Sequence, residues 1–168
     1  MKTGIIYISK HGTTEKVARI IADNLHPDET QLINLGKEKI KDIETFDRII
    51  IGGSIHMASV HKKTKKACEI YKNILMTKKL GLFLCCMEKG EKSIEQLENA
   101  FSEDLRKHAT SIALLGYEYN FDKMNCFEKA LVKKIAGSKK NISEIDYDAI
   151  SIFITELKKE YRKPPLAI

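Results

Sequence analysis

Apolar positions follow two different periods along this chain, and the two alternate. Short continuous apolar runs occur at 4–8, 49–51, 80–86 and 111–115, each of the length of a buried strand. Between them the spacing changes to three and four. Val17, Ile20, Ile21 and Leu25 share one helical face, as do Ala67, Ile70, Tyr71, Ile74 and Leu75. Ile94, Leu97, Phe101 and Leu105 repeat the pattern, then Met124, Phe127, Leu131 and Ile135, and finally Ile150, Phe153, Leu157 and Tyr161. The pattern predicts strands over 3–9, 31–35, 47–51, 80–86 and 111–116, the last extending towards Tyr119. It predicts helices over 13–25, 61–76, 93–107, 122–136 and 146–161. Pro27 stops the first helix and Gly137 the fourth. The short, mixed second strand suits a sheet edge. Residues 36–46 read as a short helix or a loop, and 138–145 as a polar connection.

Strands alternating with helices imply right-handed crossovers and a parallel sheet. The expected fold is α/β: a doubly wound five-stranded parallel sheet of order 2-1-3-4-5 with helices on both faces. Residues 1–168 form one domain, with an added helical segment at about 120–142. In such sheets ligands sit at the carboxyl ends of the strands, where the order reverses between strands one and three.

Three connections should meet at that rim. The first is Ser9-Lys10-His11-Gly12-Thr13-Thr14, a turn of hydroxyl residues around a glycine that leads into a helix. Free N–H groups and the helix dipole there favour a phosphate, although an ordinary Thr-capped turn has the same letters. The second is the loop after Gly52-Gly53, running Ser54-Ile55-His56-Met57-Ala58. The third follows Cys86, through Met87, Glu88, Lys89 and Gly90. Together they suit a flat ligand with a phosphate tail.

Composition narrows the classes. Apolar residues make up 43% and charged residues 31% of the chain, as in ordinary globular proteins. No apolar run reaches membrane-spanning length and no signal-peptide layout opens the chain, so the expected location is the cytoplasm. Cys68, Cys85, Cys86 and Cys126 have neither metal-ligand spacing nor a disulfide framework, so no metal site is expected. The net charge of +6 favours anionic ligands or partners, but no nucleic-acid reading motif accompanies it. A phosphoacceptor receiver module shares the sheet order, but it needs clustered acids where this chain has Ser9-Lys10-His11.

These segments resemble a flavodoxin-type domain. More closely, the chain is similar to the flavodoxin-like protoporphyrinogen oxidases that use menaquinone. The matching stretches are Asp47-Arg48-Ile49-Ile50-Ile51-Gly52-Gly53-Ser54-Ile55, His61, and Phe127-Glu128-Lys129-Ala130-Leu131-Val132-Lys133-Lys134-Ile135. His11 stands where flavodoxins carry a hydroxyl residue, and His56-Met57 where the oxidases carry Arg-Tyr. The resemblance implies noncovalent FMN. Ser9, Lys10, His11, Gly12, Thr13 and Thr14 would form its phosphate turn. Ser54, Ile55, His56, Met57 and Ala58 would line one side of the ring, and Cys86, Met87, Glu88 and Gly90 the other. His56 is the one candidate for contact with a substrate, and no catalytic acid is required.

The implied function is FMN-dependent oxidation of a small substrate, with protoporphyrinogen IX of heme biosynthesis as the named candidate and a quinone or redox protein as acceptor. The alternative is an electron carrier with no substrate of its own. The basic helix at 122–136 leaves a peripheral contact at the inner face of the cell membrane or a homodimer contact open. Lys62, Lys63, Lys65 and Lys66 crowd a helix start against its dipole.

Overall fold

A computed structural model describes residues 1–56, 59–119, 126–127, 129–130, 132 and 141–159. Strand β1 (Lys2–Tyr7) leads into helix α1 (Thr13–Asn24), followed by β2 (Glu29–Asn34) and a single 3-10 turn (Ile43–Thr45). β3 (Arg48–His56) folds back through β4 (Ser59–Val60) into α2 (Lys62–Ile70) and α3 (Lys72–Leu75). β5 (Lys79–Cys85), α4 (Glu91–Ala100), α5 (Glu103–His108) and β6 (Ser111–Leu114) come next. β7 (Gly116–Tyr119), β8 (Ile142–Ile145) and α6 (Tyr147–Lys158) complete the described chain.

The main sheet has the order β2-β1-β3-β5-β6, all parallel, which is the expected 2-1-3-4-5 arrangement of its five long strands. β2 lies at one edge, as its short mixed sequence predicts, and β6 at the other. Alternation along the strands divides the core into two layers. Ile6, Ile49, Ile51, Leu80, Leu82 and Leu84 pack towards α2–α5. Ile5, Tyr7, Ile50, Phe83 and Cys85 pack towards α1 and α6. Gly52 leaves room for Phe83, since a Cβ there would lie 2.0 Å from its ring.

Five expectations need correction. The fifth strand does not run on to Tyr119. At Gly116 (φ 74°) the chain leaves the sheet, and β7 pairs antiparallel with β8. Residues 142–145, read as connection, therefore form a strand. The helix at 61–76 turns at Tyr71, which leaves Ile70 60% exposed rather than inward. The helix at 93–107 breaks where Phe101 adopts extended backbone to enter the core, and Ile94 is exposed. Ser102, with Glu103 and Asp104 behind it and Arg106, Lys107 and His108 at the far end, starts the new helix with charges that suit its dipole. Residues 126, 127, 129, 130 and 132 are helical, but Phe127 is 90% exposed rather than inward, while Val132 is buried. The rest of the predicted helix at 122–136, Gly137 and Tyr161 lie outside the described residues.

At the amino ends of the strands two cations are buried. Arg48 bonds Asp28 at 2.9 Å and Thr3 at 3.3 Å. Lys79, its neighbour on β5, donates to the Lys159 carbonyl. Among the described residues no helix is long and apolar enough to cross a membrane.

Candidate functional site

The carboxyl rim gathers the loops after β1, β3 and β5. The turn after β1 closes on itself, with the Gly12 N–H donating to the Ser9 hydroxyl at 3.1 Å. Gly12 caps α1 in a left-handed conformation (φ 101°) that disfavours any residue with a Cβ. Among the described residues no side chain caps the helix start, which leaves its dipole and first amides to an outside acceptor.

The two threonines of this turn differ. The Thr13 hydroxyl donates to the Glu118 carbonyl at 3.1 Å. The Thr14 hydroxyl is buried, the residue being 1% exposed, and among the described residues it has no oxygen or nitrogen partner, only the Cys85 thiol. The Cys85 thiol beside it is a weak acceptor, and burial pushes that thiol up to about 12. An orphan buried hydroxyl carries a desolvation cost of about 1–3 kcal/mol until something accepts from it. A phosphate oxygen at the α1 start would do so, and the residues present therefore fit such a group.

The loop after β3 meets the same turn. The His11 and His56 rings lie edge to face with centroids 5.7 Å apart, and Ser54 Oγ lies 3.2 Å from His56 Nε2. β4 draws this loop back, pairing Ile55 with Val60 and His56 with Ser59. Gly53 allows the return, because a Cβ there would lie 2.6 Å from Val60. Met57 and Ala58 lie outside the described residues. After β5, the Cys86 thiol points to the Glu88 carbonyl at 3.8 Å, and Gly90 takes φ 63° with open space around its Cβ position. Lys10 stands exposed on the first turn.

A fourth segment, β7, reaches the rim without having been expected there. The Lys16 ammonium sits 2.7 Å from the Glu118 carboxylate, which also accepts from Ser143 at 3.0 Å. The pairing with Glu118 holds Lys16 above the usual lysine range. The Tyr119 hydroxyl donates to the Met87 sulfur at 3.3 Å, and burial, helped by Tyr117 and Glu88, raises its pKa. Thus β7 ties the α1 start to the loop after β5. Its one signal in the sequence is Gly116 inside an apolar run, a place where a strand commonly bends.

Three of the thiols, Cys68, Cys85 and Cys86, are buried. Burial raises Cys68 and Cys85 to about 12 and moves Cys86 upward, which keeps the thiolate scarce. Among the described residues no cluster of His, Cys, Asp and Glu could hold a metal ion. A cavity of about 490 Å³ lies away from the rim, lined by Leu97, Glu98, Arg106 and Ile112, and its charges already pair with one another.

Comparison with known proteins supports the same fold. Flavodoxin 1 from Bacillus cereus superposes with a TM-score of 0.60 at 19% identity, covering 96% of this chain and 100% of that one. A short-chain flavodoxin associated with a bacterial microcompartment gives 0.56 at 14% identity, over 94% and 96% of the two chains. The flavodiiron protein from Giardia intestinalis gives 0.54 at 12% identity, over 93% of this chain but 36% of its own. No curated protein matches the sequence. The model of the flavodoxin domain matches residues 4–146. With the five-stranded order, the uncapped α1 start and the three converging loops, that match makes this chain a member of the flavodoxin domain family.

Proposed function

We propose that this protein binds FMN and acts as a carrier that accepts and passes on electrons. The observation that carries the reading is the buried Thr14 hydroxyl, which among the described residues has only the weak Cys85 thiol beside it, next to a helix start that no described side chain caps. Membership in the flavodoxin domain family supports the same cofactor. When bound, FMN supplies the redox chemistry. The chain's own residues hold and shield it. Ser9, Lys10, His11, Gly12, Thr13 and Thr14 cradle the phosphate. Ser54, Ile55 and His56 line one side of the ring, and Cys86, Met87, Glu88 and Gly90 the other. Thr13 braces the turn through Glu118 rather than offering a free hydroxyl.

A second reading is oxidation of a small substrate, with protoporphyrinogen as the candidate and a quinone as acceptor. The β7–β8 ribbon favours it, because through the Tyr119 hydroxyl bond to the Met87 sulfur it brings a further segment to the rim. The two readings separate in one set of measurements. Purified protein should be yellow and release one FMN per chain on denaturation. Anaerobic titration should then resolve two one-electron steps, with no loss of protoporphyrinogen when quinone is added. Quinone-dependent turnover would transfer the assignment to the oxidase. A colourless protein that takes up no added FMN would sink both.

A further inference from the structure

Helix α2 begins with Lys62, Lys63, Thr64, Lys65 and Lys66, and its first turn holds no acidic residue. Each cation there opposes the helix dipole. Lys62 and Lys66 are four apart and so form a like-charged pair on one face. Local helix physics therefore disfavours this arrangement twice.

Among the described residues, one of the four lysines is used inside the protein. The Lys63 ammonium donates to the Leu35 carbonyl at 2.8 Å and fastens α2 to the end of β2. Lys62, Lys65 and Lys66 have no carboxylate within 4 Å among the described residues. Elsewhere Lys16 pairs with Glu118, Lys72 with Asp104, Lys107 with Glu103 and Lys159 with Glu156, whereas Lys37, Lys39, Lys41, Lys89, Lys92 and Lys158 make no ion pair among the described residues. What sets the α2 lysines apart is their crowding at one helix start.

Their position gives the cluster a use. The β3–β4 hairpin pairs His56 with Ser59 and passes straight into His61, whose ring accepts the Lys63 N–H at 3.1 Å and caps α2. His56 in turn touches His11 of the phosphate turn. The lysines thus stand on the β3 lip of the rim. The opposite lip is balanced, with Glu88 and Glu91 against Lys89 and Lys92.

We propose that the Lys62–Lys65–Lys66 face of α2 is a docking surface for an acidic electron-transfer protein. The proposal rests on the carrier reading and adds the sign of the partner's charge. Complementary charge speeds encounter and fixes orientation, and its effect fades as salt rises. A surface that holds three cations beside the rim, unpaired among the described residues, fits a carboxylate-rich partner.

The test uses a small acidic [2Fe–2S] ferredoxin as the probe, titrated into the full chain with and without FMN, by calorimetry at low and physiological salt. We expect binding at low salt that weakens about tenfold or more at physiological salt. The double variant Lys62→Glu/Lys66→Glu should weaken binding at least tenfold, while Lys107→Glu/Lys158→Glu, with the same charge change elsewhere, should leave it within about twofold. Circular dichroism checks folding, and FMN absorbance is recorded on every sample. Yellow protein that shows no salt-dependent binding, or that loses binding equally in both variants, overturns the docking surface but not the cofactor. Capture by phosphatidylserine vesicles with no ferredoxin binding also overturns it, in favour of a lipid surface. Colourless protein that still binds ferredoxin through these lysines overturns the carrier reading instead.

Discussion

Thr14 is a residue whose cost in the empty protein becomes a gain on binding. Its hydroxyl is buried and, among the described residues, matched by nothing stronger than the Cys85 thiol. Thr14→Val keeps the shape and removes the unmatched group, so the FMN-free protein should be no less stable, or more stable by up to about 1 kcal/mol. FMN affinity should fall about tenfold to a hundredfold, as for loss of one hydrogen bond to a charged oxygen. Thermal melts and flavin fluorescence titrations measure the two effects, and Thr14→Ser should restore binding. Asp28 works at the other end of the sheet. Burial would raise its pKa, but the Met1 amine and the Arg48 guanidinium outweigh this and hold the carboxyl below the usual range. A lowered folded-state pKa gives stability that is full above the ordinary carboxylate range and lost as pH falls through the folded value. Stability should therefore drop on acidification below about pH 4, and Asp28→Asn should flatten that slope. The same change leaves buried Arg48 without a counter-ion, at a cost of about 3 kcal/mol at neutral pH in denaturant melts.

The elements divide by how much of their cause is local. The strands at 49–51 and 80–86, and helix α1, were legible because their apolar periods are unambiguous and packing agrees with them. The glycine turn, the three loops at the rim and the sheet order followed from them. The break at Ser102 was also written locally, as a cap residue followed by Glu103 and Asp104, but the longer apolar repeat hid it. β8 was not legible, because Ile142–Ile145 is strand only by pairing with β7. That pairing depends on Gly116, where a Cβ would lie 1.9 Å from the Glu144 carbonyl oxygen. Gly116→Ala should cost more than about 2 kcal/mol, since it combines a left-handed backbone with a clash against main chain. Hydrogen exchange should show faster opening at 117–119 and 142–145 than in β1 and β3. Uniform loss of protection across the sheet would contradict a role confined to the ribbon. The site residues were legible as segments only. That Thr13 turns to Glu118 depends on β7, which lies far off in sequence.

At the scale of the whole molecule, the rim couples ligand to fold. The groups proposed to meet FMN hang on β1, α1, β3 and β5, the central elements of the sheet. A ligand that binds only the folded chain adds about 2.7 kcal/mol at a hundredfold excess over its dissociation constant. For a chain of this size each kcal/mol moves the melting point by roughly 2–4 °C. FMN should therefore raise the melting point by about 5–10 °C, and riboflavin, which lacks the phosphate, by much less. An equal shift from both would argue against the turn at Ser9–Thr14 as the anchor. The turn of the chain at Gly116 has one more effect. It stops β6 after four residues, so that side of the sheet presents few unsatisfied amides to a neighbouring molecule. A concentrated solution of the folded protein should accordingly resist growth by strand addition there, a safeguard that comes from shortness alone.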